Sequence, residues 1–316
     1  MPFFATDPMK MDARTTGVFQ VPWRLNLVLA LGVLGMYATL YWGVTLLVQH
    51  HYALFTGILG GFVLLTPTLW GLVHEAIHGR LMPHPVANRV AARVLSVLLN
   101  FSFDAVQFGH LMHHRYNGHE HDRPNRIRPG EPAWMSWSRH CFHLCGGHYL
   151  FTALVSVVAF APARWREQAI QRSLHGTQPD IAAMRRAALK WSADPERIVR
   201  IRLDFTAGAL LLVFAFVHYA VFWPTLLLGL YGRAFIYSTL DNLPHYGMGG
   251  RGNESAMNLT LHPWVSILVL NHNLHRLHHE RPNLPWQALP AHMTRPPADG
   301  NYFLAAIRQF SGPTRT

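Results

Sequence analysis

Long apolar stretches almost free of charge dominate the chain. Leu25 to Val48 carries no charged residue, and neither does Tyr52 to Val73. Each is long enough to cross roughly 30 Å of hydrocarbon as a helix. The three residues between them, Gln49, His50 and His51, leave room only for a tight turn, so the pair is predicted to be a helical hairpin. A third apolar region runs from Phe205 to Leu240, interrupted by Trp223-Pro224 and carrying Arg233. As one helix it would be about 54 Å long, too long for a single crossing. Two spans, at about 205–222 and 225–241 with a turn near Pro224, fit better.

Two further segments have a different pattern. Val86 to Phe108 mixes Arg89 and Arg93 with Val90, Val94, Leu95 and Leu98, which predicts an amphipathic helix at a membrane surface. Tyr149 to Ala161 is apolar but short for a span. Charge places it: the loop 162–204 holds nine Lys/Arg against five acids, and such loops collect on the cytoplasmic side. The segment is therefore expected along the cytoplasmic interface. Arg24 before the first span and Arg80 after the second mark the same side.

The expected fold is an all-α integral membrane protein made of one domain. Four transmembrane helices form two hairpins, at about 25–48, 52–73, 205–222 and 225–241. A helical cytoplasmic cap is built from 74–204 and 242–316.

Composition agrees. Only 14% of the 316 residues are charged and 50% are hydrophobic, where soluble domains carry about 25% charge. The net charge of +11 sits beside apolar segments and not in a separate basic domain, which argues against a nucleic-acid partner and for a lipid bilayer. Cys141 and Cys145, the only cysteines, exclude a disulfide framework or a cysteine-rich metal site.

Histidine is the anomaly, with 22 copies. Three clusters stand out: His74-Glu-Ala-Ile-His78, His110-Leu-Met-His113-His114 and His275-Arg-Leu-His278-His279. His245 stands alone in Asp241-Asn-Leu-Pro-His245-Tyr-Gly. Residues three and four apart share one helix face, so each cluster can aim two or three imidazoles at one point. All the clusters lie just past spans or on cytoplasmic segments and can meet at one depth. Nine imidazoles are too many for one metal and suit two. Imidazole serves Fe, Zn, Cu and Ni alike, but a catalytic zinc takes three protein ligands, so the number favours two irons.

These boxes, HxxxH, HxxHH and HxxHH, resemble those of the membrane fatty acid desaturase and hydroxylase superfamily. The resemblance runs from about residue 70 to 290. It includes His110-Leu-Met-His-His-Arg-Tyr-Asn117 with Asp122, and Leu277-His-His-Glu-Arg-Pro-Asn-Leu-Pro285-Trp286 through Pro290. It implies a non-haem di-iron oxidoreductase with O2 as co-substrate, acting on an unactivated C–H of a fatty acyl chain. The implied ligands are His74, His78, His110, His113, His114, His245, His275, His278 and His279. Asn242 is implied as the holder of a metal-bound water. Desaturation is the leading outcome. The His-Tyr-Gly end of the 241–247 box is similar to that of alkane monooxygenases, which keeps hydroxylation open, and decarboxylation to a terminal alkene is a further outcome. No haem, flavin or Fe–S module is visible, so an external ferredoxin, rubredoxin or cytochrome-type donor with its reductase is implied.

Other readings compete at single positions. His74-Glu75-x-x-His78 is also a zinc-peptidase signature, though a peptidase leaves both HxxHH boxes unused. His272, three before His275, is the main rival ligand. His218 reads as a span residue, and His50 and His51 as far-side residues. His84, His119, His121, His140, His143, His148, His175, His262 and His292 read as surface residues or neighbours of the site. Glu75, Asp104, Asp122, Asp241 and Glu280 are candidates to orient ligand imidazoles. Trp134, Trp137, Trp264 and Trp286 line an acyl tunnel or lie at the interface. Arg123, Arg126 and Arg128 form a solvated or headgroup-facing patch, or bind an anionic acyl carrier.

Overall fold

The computed structural model describes residues 20–119, 122, 126–127 and 130–314. Among the described residues it is helical, with isolated bridges but no strand. Four helical stretches are long and apolar enough to cross a membrane: Trp23–Val48, Tyr52–Ile77, Ala133–Phe160 and Pro195–His245. They mark a multi-pass membrane protein.

The first hairpin contains α1 (Trp23–Trp42) and α2 (Val44–Val48), then α3 (Tyr52–Leu64) and α4 (Thr66–Ile77). Its turn uses His50 at φ 61°. At the break between α1 and α2, a Cβ on Gly43 would meet the Phe55 ring at 3.2 Å, so glycine lets the two arms close. Next come α5 (Pro85–Leu98) and α6 (Phe103–Tyr116), bent by 97°. The sequence pattern predicts one amphipathic helix here. The break arises at Asn100, held at φ 59°, and at Ser102, whose Oγ donates to Ile201 O.

The chain continues through α7 (Ala133–Phe142), a π-type turn at 143–147 with Gly146 at φ 104°, α8 (His148–Leu154) and a 3-10 segment at 155–160. Helices α9 (Ala163–Ser173) and α10 (Pro179–Ser192) follow, then α11 (Pro195–Tyr219) and α12 (Trp223–Asn242). Asp194 caps α11 by accepting from Arg197 N, with Pro195 in the first turn. The short helices α13 (Pro263–Leu268), α14 (His275–Glu280) and α15 (Tyr302–Arg308) complete the fold.

Pro195–His245 folds back on itself, because Asn100 touches both arms. Its Nδ2 donates to Gly208 O and its Oδ1 accepts from Arg233. The expected turn near Pro224 is displaced. The reversal falls at Ala220, held at φ 45°, and Pro224 instead sits in the first turn of α12, where its missing N–H costs nothing. Tyr219 Oη donates to Leu40 O at 2.6 Å, so both hairpins turn at one end of the bundle. The histidine boxes occupy the other end.

Ala133–Phe160 packs at that histidine end. Tyr149 Oη donates to Leu99 O, Arg202 Nε donates to Ala159 O, and Phe160 meets Phe205 with ring centroids 5.6 Å apart. None of these partners belongs to the end where the hairpins turn.

Apolar burial gives lipid-embedded helices little driving force, so polar clasps carry weight. Arg233 on α12 is such a clasp. Its Nη1 donates to Tyr37 Oη and Leu98 O, and its Nη2 to Asn100 Oδ1 and Tyr149 Oη, all at 2.6–2.7 Å. One side chain thus ties α1, the α5–α6 elbow and α8 to α12. A second clasp sets the start of α6. Asp204 on α11 accepts from Phe103 N at 3.1 Å, and Arg93 on α5 pairs with both Asp204 and Asp104. These two clasps aim α6, which carries three histidines.

Candidate metal centre

Nine histidines converge at the end of the bundle. They come from the last turn of α4 and the residue after it (His74, His78), from α6 (His110, His113, His114), from the 3-10 turn after α12 (His245), and from α14 (His275, His278, His279). They form two groups. His74, His78, His110, His114 and His278 make one; His113, His245, His275 and His279 make the other. Within each group the ligand atoms all lie within 4.8 Å of one another.

Helical spacing explains the division. In α6, His110 and His114 are four apart and share the first group, while His113 is turned toward the second. In α14, His275 and His279 are four apart and share the second, while His278 turns to the first. Each HxxHH box therefore serves both groups. The groups are adjacent, with the His114 and His279 rings stacked at 4.2 Å.

The nitrogen geometry suits a cation. His110 Nε2 lies 3.1 Å from His78 Nε2 and 3.0 Å from His114 Nε2, which lies 3.0 Å from His278 Nε2. A ring nitrogen offers either one hydrogen or one lone pair, so it cannot satisfy two such neighbours by hydrogen bonds. His74 Nε2 is buried with no hydrogen-bond partner. In the second group His113 Nε2 faces His245 Nε2, and His275 Nε2 faces His279 Nε2, both at 3.1 Å. On the outer side, His245 Nδ1 donates to Ser255 O at 2.7 Å and His113 Nδ1 to Asp122 at 2.8 Å. A hydrogen on Nδ1 leaves Nε2 as a lone pair aimed inward.

Burial keeps the imidazoles neutral, as metal ligands must be. Desolvation, reinforced by Arg80, holds His78 down to about 3. Desolvation and neighbouring imidazoles hold His275 and His278 well below the ordinary range.

The two further candidates are placed differently. Asn242 lines the adjoining cavity, and its Nδ2 donates to Gln309 Oε1 at 2.6 Å. His272 belongs to neither group; its ring lies 4.7 Å from that of His275.

Of the five carboxylates expected to orient ligands, Asp122 has a hydrogen bond to one of the nine. Glu75 accepts from Trp286 N, Asp104 belongs to the arginine clasp, Asp241 pairs with His148 at 2.9 Å, and Glu280 is exposed. Glu75 is thus tied to backbone, and His74 and His78 share their group with three more imidazoles, which departs from a three-ligand peptidase site. His218 contacts Tyr41 O, as a span residue, and His50 bonds Tyr52 within the first turn. His140 is buried, with Nε2 donating to Gln309 O, and is not a surface residue. Arg126 Nη2 donates to Met248 O; Arg123, Arg128 and His121 lie outside the described residues.

A cavity of about 790 Å³ opens against His110, His113 and His245. It runs between α6 and the α8 segment toward α9 and α10, with walls that include Phe108, Val155, Ile170, Trp191 and Ile201. Its size lies within the range of about 300–1,000 Å³ usual for small-molecule sites. Of the four tryptophans read as tunnel-lining or interfacial, none lines it. Trp286 is buried in the core with Nε1 donating to Asn26 Oδ1, and Trp134, Trp137 and Trp264 are exposed. The tryptophans that do line it, Trp70 and Trp191, lie on α4 and α10.

No curated protein and no solved structure matches the chain. The fatty acid desaturase family does, over residues 49–303, a stretch that holds all nine clustered histidines and, apart from Thr314, the wall of the cavity beside them. The chain belongs to the fatty acid desaturase family.

Proposed function

We propose that this oxidoreductase is an O2-dependent di-iron enzyme that removes two hydrogens from an unactivated stretch of a fatty acyl chain and leaves a double bond. One observation carries the reading: two adjacent groups of five and four inward-facing imidazoles border a largely apolar cavity. Iron held by His74, His78, His110, His114 and His278, and by His113, His245, His275 and His279, would supply the oxygen chemistry needed to break an aliphatic C–H bond.

The chain's own residues do the rest. Asp122 and the Ser255 carbonyl fix the orientation of His113 and His245. The apolar wall holds an alkyl chain, keeps water out and sets which carbon lies beside His110, His113 and His245. Electrons come from an external donor of ferredoxin, rubredoxin or cytochrome type. Arg24, Arg80 and the basic 162–204 loop support a cytoplasmic position for the histidine end and suit an acidic donor. The two hairpins are then the membrane-crossing elements, with Ala133–Phe160 along the interface.

Metal analysis of the purified protein should give about two irons per chain; a single zinc overturns the reading. Supplied with a reductase chain, O2 and mixed fatty acyl substrates, the enzyme should yield an unsaturated product by mass spectrometry. A hydroxylated saturated product, or loss of CO2 with a terminal alkene, selects the other outcomes open to this family.

A further inference from the structure

The cavity beside the imidazoles reaches the surface along an apolar edge. Phe142, Phe151, Val155 and Val158 line it, yet they are 61%, 68%, 38% and 43% exposed. Side chains that face both an interior space and the exterior form the rim of an opening. Phe151 and Val155 are four residues apart and Val155 and Val158 three apart, so they make one continuous edge.

The surroundings of the rim identify what it faces. It lies within Ala133–Phe160, which is apolar enough to cross a membrane. Leu150, Leu154, Val157 and Phe160 beside it are exposed as well. An apolar surface of this extent is suited to hydrocarbon, not water. The opposite rim is different. Ala169 and Ser173 of α9 line the cavity and are exposed, and α9 buries none of its residues while carrying Arg164, Arg166 and Arg172. Arg166 also lines the cavity, with Nη1 donating to Ala161 O. An apolar edge facing a basic, polar helix matches the boundary between hydrocarbon and anionic headgroups.

We propose that the acyl substrate enters sideways from the bilayer through this window, as a leaflet amphiphile with an apolar chain under an anionic head. It is not handed over from water by a soluble carrier. This rests on the reading of the cavity as an acyl site and adds the physical form of the substrate: the chain slides past Phe151 and Val155 while the head stays at the level of α9.

Photolabelling tests it without turnover. The full-length protein is placed in phosphatidylcholine vesicles containing either diazirine-bearing palmitic acid or a phosphatidylglycerol with the same diazirine chain. After irradiation, adducts are mapped by mass spectrometry. Labels are expected on the rim at Phe142, Phe151, Val155 or Val158, and deeper at Trp191 or Ile201. The probe that reaches the deeper sites tells whether the source is a free fatty acid or a lipid-linked chain. Val155→Trp, which fills the window from its lipid side, should abolish deep labelling and keep rim labelling; Phe151→Trp serves equally if the first variant fails to accumulate. Iron content verifies that the site is intact in each. The proposal is overturned if deep labelling persists in both variants, if neither probe labels the interior, or if the interior is labelled only when the same chain is presented as a soluble carrier thioester. Labels at the window from an enzyme that forms no oxidised product would instead count against the proposed reaction alone.

Discussion

Asp122 holds His113 from behind: Nδ1 of the imidazole donates to the carboxylate at 2.8 Å while Nε2 points at His245. The carboxylate acts on one metal group and not on the other. Partners of this kind typically change metal affinity by about 10–100-fold. Asp122→Ala should therefore weaken binding in the group of His113, His245, His275 and His279 by about that factor, and leave the five-imidazole group near its normal occupancy. Titration of metal-free protein with ferrous iron should resolve one weakened and one unchanged class. Equal weakening of both would reject this division of labour.

Removing a ligand is more severe. His114 serves the first group and His279 the second, whereas His175 is exposed and bonds only Arg172 O in its own turn. His114→Ala and His279→Ala should each abolish turnover, and His175→Ala should retain it. Product formation under identical iron loading checks this, and a comparable loss in all three would undermine the ligand assignment.

Arg233 predicts a stability effect. Arg233→Met removes the guanidinium that bridges Leu98 O and Asn100 Oδ1; each acceptor keeps a tyrosine hydroxyl, from Tyr37 and Tyr149, so what is lost is the charge-assisted bond, about 1.5–3 kcal/mol each. A fall in unfolding temperature in detergent is expected, together with lower iron content, because the elbow that aims α6 is released. Unchanged thermal stability would show that Tyr37 Oη, which also donates to Leu98 O, can brace the elbow unaided.

The metal-free protein should also lose stability in mild acid. Burial lowers His78 to about 3 and His272 to about 4, and holds His275 and His278 well below their ordinary range. An unfolded histidine titrates near 6.5. Below that pH the unfolded chain binds protons that the folded chain refuses, so stability falls as pH drops from about 7 toward about 4. Unfolding temperatures of metal-free protein measured across this range should decline steadily. A flat profile would mean that these imidazoles are accessible to water.

Much of the site was legible in the sequence because its signals are local. Spacing of three and four on a helix brings His110, His113 and His114 within reach of one centre without tertiary information. The assignment of His113 and His278 to the opposite group from their box-mates is not local. It depends on how α6 and α14 face each other. The hairpins were legible from long apolar runs, but the reversal at Ala220 was not, since an apolar residue at φ 45° carries no compositional mark. The elbow in Val86–Phe108 was hidden for a related reason: Asn100 reads as one polar residue among many until Arg233 is found against it. The cavity wall could not be foreseen from tryptophan positions. Its lining residues come from α4 and from every helix from α6 to α12, and only packing selects them.

Helix α14 has one more consequence, concerning the order in which the protein is made. It supplies one imidazole to the first metal group and two to the second. A chain still being synthesised, and not yet past residue 274, already holds His74, His78, His110 and His114 of the first group. Of the second it holds only His113 and His245. Both ligand sets are closed by this one helix, at His278 for the first group and His279 for the second. Before it emerges, four of the first group's five imidazoles exist but only two of the second's four. Loss of the helix by truncation would thus strip the second group far more than the first.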